Sequence, residues 1–121
     1  MSTIMVVDDA HFMRMRVTKL LTKHGHQVIE AADGEEAVQT YRHIQPDAVL
    51  MDITMPRKDG LTALAEIRHI DPEAKVIMLT ALGQQAMVLQ AIQAGAKDFL
   101  VKPYDPEQVM RALSKVLKRA Q

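Results

Sequence analysis

Short unbroken apolar blocks alternate along the chain with stretches of helical spacing. Thr3-Ile-Met-Val-Val7 is the first block, a strand that ends in Asp8-Asp9. From Phe12 the period changes: Met13, Val17, Leu20 and Leu21 share a helical face, and His24-Gly25 stops the helix with glycine in the left-handed position. His26–Ala31 is a second strand, more polar and hence an edge. Asp33, with Glu36 three residues later, is a capping signature for a helix running to about Ile44. Ala48–Asp52 is an apolar run that ends on a carboxylate. Pro46 and Pro56 bound it, as expected of a strand buried on both faces. Lys58-Asp59-Gly60 completes a turn, and Leu61, Leu64 and Ala65 begin a third helix that stops before Asp71-Pro72. Val76–Leu79 is another buried strand, ending in Thr80. Gln84–Ala94 is helical with Gly95 as its stop, and Asp98–Val101 is a last strand ending in Lys102-Pro103. Asp105 caps the final helix, Pro106 takes its first position and Gln108 completes a capping box. Val109, Leu113, Val116 and Leu117 form its apolar stripe.

A β-α unit repeated five times predicts an α/β fold, a parallel sheet with helices on both faces. Right-handed crossovers leave few strand orders. The order chosen is 2-1-3-4-5, a doubly wound five-stranded, flavodoxin-like sheet, with the first, third, fourth and fifth strands placed toward the centre.

The length of 121 residues fits one domain over 1–121, and no linker or repeat divides it. Lys+Arg and Asp+Glu balance at 15 each, so the charge gives no general attraction to nucleic acid or to anionic membrane. With no cysteine there is no disulfide, thiolate nucleophile or Cys-based metal site. No apolar stretch is long enough for membrane insertion and no secretion signal opens the chain, so a cytoplasmic protein is expected.

Parallel strands place their C-terminal ends on one edge, where ligands of such sheets bind. Here those ends carry Asp8-Asp9, Asp52, Thr80 and Lys102. Three carboxylates and one ammonium leave two negative charges, and crowded carboxylates repel. A divalent cation relieves that repulsion. Oxygen ligands alone favour Mg²⁺ or Mn²⁺. Asp52 could then attack a phosphoryl group, with the cation and Lys102 stabilising its oxygens and Thr80 donating a hydrogen bond. Each piece alone has a plainer reading: a lone Asp after a strand is a turn residue, and Thr at a strand end reflects β propensity. Their conjunction on one edge points to chemistry.

Val6-Val7-Asp8-Asp9, Met51-Asp52-Ile53-Thr54-Met55-Pro56, Asp59-Gly60, Thr80-Ala81, Gly95-Ala96 and Lys102-Pro103 together resemble the receiver domain of two-component response regulators, over essentially the whole chain. Phe12-Met13-Arg14-Met15, Met51–Pro56, Gly83-Gln84-Gln85 and Ala91–Val101 are most similar to free-standing chemotaxis regulators of the CheY type. CheY and flavodoxin are standard examples of the strand order chosen above, so the order adds no weight of its own.

The resemblance implies Asp52 as phosphoacceptor. It implies Asp9, Asp52 and the Thr54 backbone carbonyl as metal ligands, with Asp8 acting through water. Thr80, the Ala81 N–H and Lys102 would hold the phosphoryl group, across a cis Lys102–Pro103 bond. Thr80 and Phe99 would be the switch, Phe99 standing where the best-known chemotaxis regulators have Tyr. The implied protein is a monomeric phosphoacceptor switch, catalysing only its own phosphorylation and dephosphorylation. Its partners would be a histidine kinase, a flagellar motor switch protein or other phosphorylation-dependent target, and a separate phosphatase. Thr54 and Leu82 would border the path of hydrolytic water, and Leu82, unable to hydrogen-bond, would slow autodephosphorylation.

Three other functions compete. One is a phosphorelay intermediate passing phosphate to a second histidine protein. Another is an Asp-nucleophile phosphatase of the haloacid-dehalogenase type. That needs a second Asp two residues after the first, where this chain has Thr54. A flavin or nucleotide module lacks its Gly-rich loop, since Asp8-Asp9-Ala10-His11 follows the first strand. Met13, Met51 and Met78 read as core, Met87 and Met110 as the weaker candidates for a partner surface. Lys115, Lys118 and Arg119 suit a helix C-terminus.

Overall fold

The computed structural model describes residues 2–81 and 83–118; Leu82 and Arg119 lie outside the described residues. The elements follow in the order β1 (Thr3–Val7), α1 (His11–Lys23), β2 (Gln27–Ala31), α2 (Gly34–Ile44), β3 (Ala48–Asp52), α3 (Gly60–Ile70), β4 (Val76–Thr80), α4 (Gln85–Gln93), β5 (Asp98–Val101) and α5 (Pro106–Leu117). All strands pair in parallel in the order β2-β1-β3-β4-β5.

Alternation within the central strands divides the core in two. Met5, Val7, Val49, Met51, Val76 and Met78 face α2, α3 and α4, packing on Tyr41, Leu64, Ile67 and Ala91. Ile4, Val6, Leu50, Ile77 and Leu79 face the other way, onto Val17 and Leu21 of α1 and Val109 and Leu113 of α5. A strand between two helical layers buries both faces, which is why β3 and β4 are apolar up to their last residues, Asp52 and Thr80, and buried at every position.

One placement differs from expectation. β5 is an edge of the sheet, paired only with β4. Its residues alternate, and Phe99 and Val101 are each 37% exposed. With a neighbour on one side only, and one face open beside α4, β5 has no fully buried position, unlike the central strands.

Helix ends account for the polar residues between the blocks. Asp105 and Gln108 form the reciprocal capping box on α5. Asp33 caps α2 by accepting from the Glu36 N–H, but Glu36 reaches back to the Ala32 N–H instead of the cap residue. Asp59, within a turn signature, caps α3 by accepting from the Thr62 N–H at 2.8 Å. Arg57 also pairs with Asp33, and Lys58 bridges Glu35 and Glu66 at 3.2 and 2.7 Å. The loop after β3 is thus tied to both α2 and α3.

The Glu36 N–H bond holds the Asp33 carboxyl below its ordinary pKa despite burial, and Arg57 adds to the effect. A depressed folded value means that the stabilisation is complete above the unfolded carboxylate range and disappears as pH falls through the folded value. Asp33→Ala should cost about 1–2 kcal/mol at neutral pH, and the gap to wild type should narrow below about pH 4. Urea unfolding at neutral and acid pH measures both. A gap constant with pH would show that the charge contributes nothing.

Candidate functional site

The parallel register sets three polar strand ends side by side. Val7 pairs with Met51, so Asp8 emerges beside Asp52, and Asp52 itself pairs with Leu79, one residue before Thr80. Asp8 and Thr80 are each 1% exposed and Asp52 8%, whereas Asp9 is exposed. One carboxylate oxygen from each of Asp8, Asp9 and Asp52 lies within 4.8 Å of the others. Lys102, just beyond β5, points its ammonium back at them, with Nζ 3.0 Å from Asp52 Oδ2 and 3.4 Å from Asp8 Oδ2. Its backbone N–H donates to the Thr80 carbonyl at 2.7 Å, and the Lys102–Pro103 bond is cis.

The electrostatics are those of a crowded acidic pocket. Burial pushes the Asp52 carboxyl above its ordinary pKa; Lys102 opposes this, and Asp8 and Asp9 add to it. Burial alone would lower Lys102, but Asp52, and then Asp8, hold its ammonium above the ordinary lysine value. One cation does not neutralise three carboxylates. The donor set is entirely oxygen, partly buried and net negative, which fits a hard divalent cation such as Mg²⁺.

Other groups fix the loops that carry these side chains. Asp8 Oδ1 accepts from the Ala10 N–H at 2.9 Å, and Arg14 donates to the Asp8 carbonyl at 2.7 Å while pairing with Glu30. The Gly60 N–H donates to the Ile53 carbonyl at 2.6 Å, folding the loop after β3 back on itself. Thr54 is exposed in that loop, two residues beyond Asp52. Thr80, Ala81, Gln84, Val88, Phe99 and Val101 line a cavity of about 150 Å³, so Thr80 and Phe99 border one space while the ring stays partly in solvent.

The predicted residues therefore assemble on one edge, with Phe99 on the flank. Sequence reading missed Gln84, whose side chain reaches Thr80, Ala81 and Thr54 at once. The available signal was weak: α4 starts without Ser, Thr, Asp or Asn at its cap, which leaves the Gln84 side chain free for other partners. Reading Gln84 as the first helical residue hid this.

The arrangement offers a buried carboxylate, a cation aimed at it, an acidic pocket whose oxygens fit a divalent cation, and a hydroxyl beside a backbone N–H. The chain matches the family model of the response regulator receiver domain over residues 4–114. It is 54% identical to the chemotaxis protein CheY of Thermotoga maritima over 116 residues, covering 95% of this chain and 97% of that protein. It is also 54% identical to CheY of Bacillus subtilis, over 94% and 96% of the two chains. Among solved structures it resembles the CheX–CheY–BeF3–Mg²⁺ complex of Borrelia burgdorferi, with a TM-score of 0.91 and 40% identity, covering 97% of this chain and 90% of that one.

Proposed function

The chain belongs to the response regulator receiver family, and from that premise we propose that it takes a phosphoryl group from a histidine kinase onto Asp52 and thereby changes its affinity for a component of the flagellar motor switch. The observation that carries this reading is the placement of Asp52, 8% exposed at a strand end, 3.0 Å from the Lys102 ammonium. An Asp52 oxygen forms the bond to phosphorus as the bond to the kinase imidazole nitrogen breaks, the nitrogen keeping the electron pair. Lys102 neutralises charge on the transferred group, and the Thr80 hydroxyl and Ala81 N–H bind its oxygens. The protein's catalysis is confined to gaining and losing its own phosphoryl group. The whole chain acts as one receiver unit, monomeric and cytoplasmic.

Asp9, Asp52 and the Thr54 carbonyl would hold Mg²⁺, which when bound offsets negative charge on the phosphoryl oxygens. Asp8 already uses one oxygen on the Ala10 N–H and turns the other toward Lys102, which suits contact through water. Asp9 has neither commitment among the described residues. Asp9→Ala should therefore weaken Mg²⁺ binding more than Asp8→Ala in a direct titration. Equal losses would argue against that division.

The output surface is formed by α4, β5 and α5. Leu89 and Ile92 of α4 and Phe99 of β5 are exposed apolar side chains there. Rotation of Phe99 into the cavity beside Thr80 would reshape that face. Removal of the signal falls to a separate phosphatase; the B. burgdorferi relative is captured with CheX in its beryllofluoride form. The test is phosphotransfer from a chemotaxis histidine kinase with Mg²⁺, followed by binding to the motor switch protein. Phosphorylation should raise that affinity. Unchanged affinity, with the phosphoryl group passing instead to a second histidine protein, would make the chain a relay intermediate.

A further inference from the structure

Gln84 occupies the N-cap of α4, yet its side chain makes no capping bond to that helix. Its Oε1 accepts from the Thr80 hydroxyl at 2.8 Å and from the Ala81 N–H at 2.7 Å. Its Nε2 donates to Thr54 Oγ1 at 3.0 Å and approaches Met87 Sδ at 3.6 Å. The amide can point only one way, because the Ala81 N–H can only donate and must face an oxygen. The side chain thus crosses from the loop after β4 to the loop after β3, joining residues 30 apart in sequence.

The two donors that Oε1 engages are those assigned above to the phosphoryl oxygens. Each has a single proton to give. An amide oxygen and a phosphoryl oxygen therefore cannot be served together at full strength. Thr80 is 1% exposed, and among the described residues its hydroxyl has otherwise only the Ala81 carbonyl, at 3.3 Å. Leaving such a group without a partner is costly, which explains why a side chain fills the place when Asp52 is bare.

We propose that Gln84 is a displaceable stand-in for the phosphoryl group, a positioning residue that holds Thr80 and the Ala81 N–H ready and yields to the phosphoryl oxygens. The proposal rests on the reading of Asp52 as phosphoacceptor. Displacement breaks the bond to Thr54 and frees the residue at which α4 begins. The first turn of α4 therefore responds to phosphorylation directly, in parallel with any movement of Phe99.

The test is titration of the full chain with beryllofluoride at saturating Mg²⁺, followed by NMR of the Ala81 amide. Gln84→Ala leaves the donors to water, a weaker competitor, and should tighten capture about fivefold. Gln84→Glu keeps the acceptor and adds charge, and should weaken capture about tenfold. A merely structural role would shift both variants in the same direction. The Ala81 amide signal of Gln84→Ala should differ from wild type before beryllofluoride and coincide with it after saturation. Equal affinity in all three proteins, or an Ala81 signal that still differs at saturation, overturns the stand-in role. If capture is then lost in Asp52→Asn, the phosphoacceptor reading stands. Capture retained in Asp52→Asn overturns both.

Discussion

Asp52→Asn should abolish the incorporation of hydroxylamine-sensitive phosphate from acetyl phosphate. The substitution preserves shape, so the buried end of β3 need not rearrange. It removes the anionic oxygen 3.0 Å from Lys102 and replaces it with a neutral amide that does not attack phosphorus. Lys102 keeps Asp8 as a partner at 3.4 Å, so the ammonium is not left buried and unpaired. The loss should exceed about a thousandfold in rate, because it removes the proposed nucleophile and not an assisting group. Radiolabelled phosphate followed over time, with far-UV circular dichroism as a check on folding, measures it. Labelling of a folded Asp52→Asn protein at the wild-type rate would place the nucleophile elsewhere.

Structure that follows from hydrophobic period was legible in the sequence. β3 and β4 are apolar at consecutive positions because helices cover both faces, and that pattern is visible without coordinates. The convergence of Asp8, Asp52, Thr80 and Lys102 follows from the polarity of parallel strands alone. The α5 capping box was legible because its members are three residues apart. Contacts between loops were not legible. Arg14 reaches the Asp8 carbonyl from the first turn of a helix, and Gln84 reaches Thr54 across 30 residues. No spacing rule encodes either, since each depends on how two loops face one another. The chosen order already ends on β5, but the partial exposure of that strand was not legible, for a related reason. Four residues carry too little alternation to distinguish a half-covered strand from a central one.

Gly60 is a second case, since a Gly after Asp reads as turn chemistry when its cause is a close approach of backbone. A Cβ at Gly60 would overlap the Asp52 carbonyl oxygen and lie 2.8 Å from Ile53 Cα. Both are main-chain atoms, held by the Gly60 N–H bond to the Ile53 carbonyl and the Ile53 N–H bond to the Leu79 carbonyl. Neither can move aside as a flexible side chain would. Gly60→Ala should therefore destabilise the fold by about 3 kcal/mol, as overpacking against a rigid neighbour does. The comparison is Gly25→Ala. Gly25 has a φ of +89° but nothing within 4 Å of the added carbon, so it should lose only about 1 kcal/mol, for the left-handed backbone. Urea midpoints of the two variants measure the difference. The overlapped carbonyl belongs to Asp52, the proposed phosphoacceptor, so folded Gly60→Ala should also be phosphorylated more slowly than folded Gly25→Ala. Equal unfolding midpoints in the two variants would mean that the loop after β3 can give way, and that Gly60 does not hold Asp52 in place.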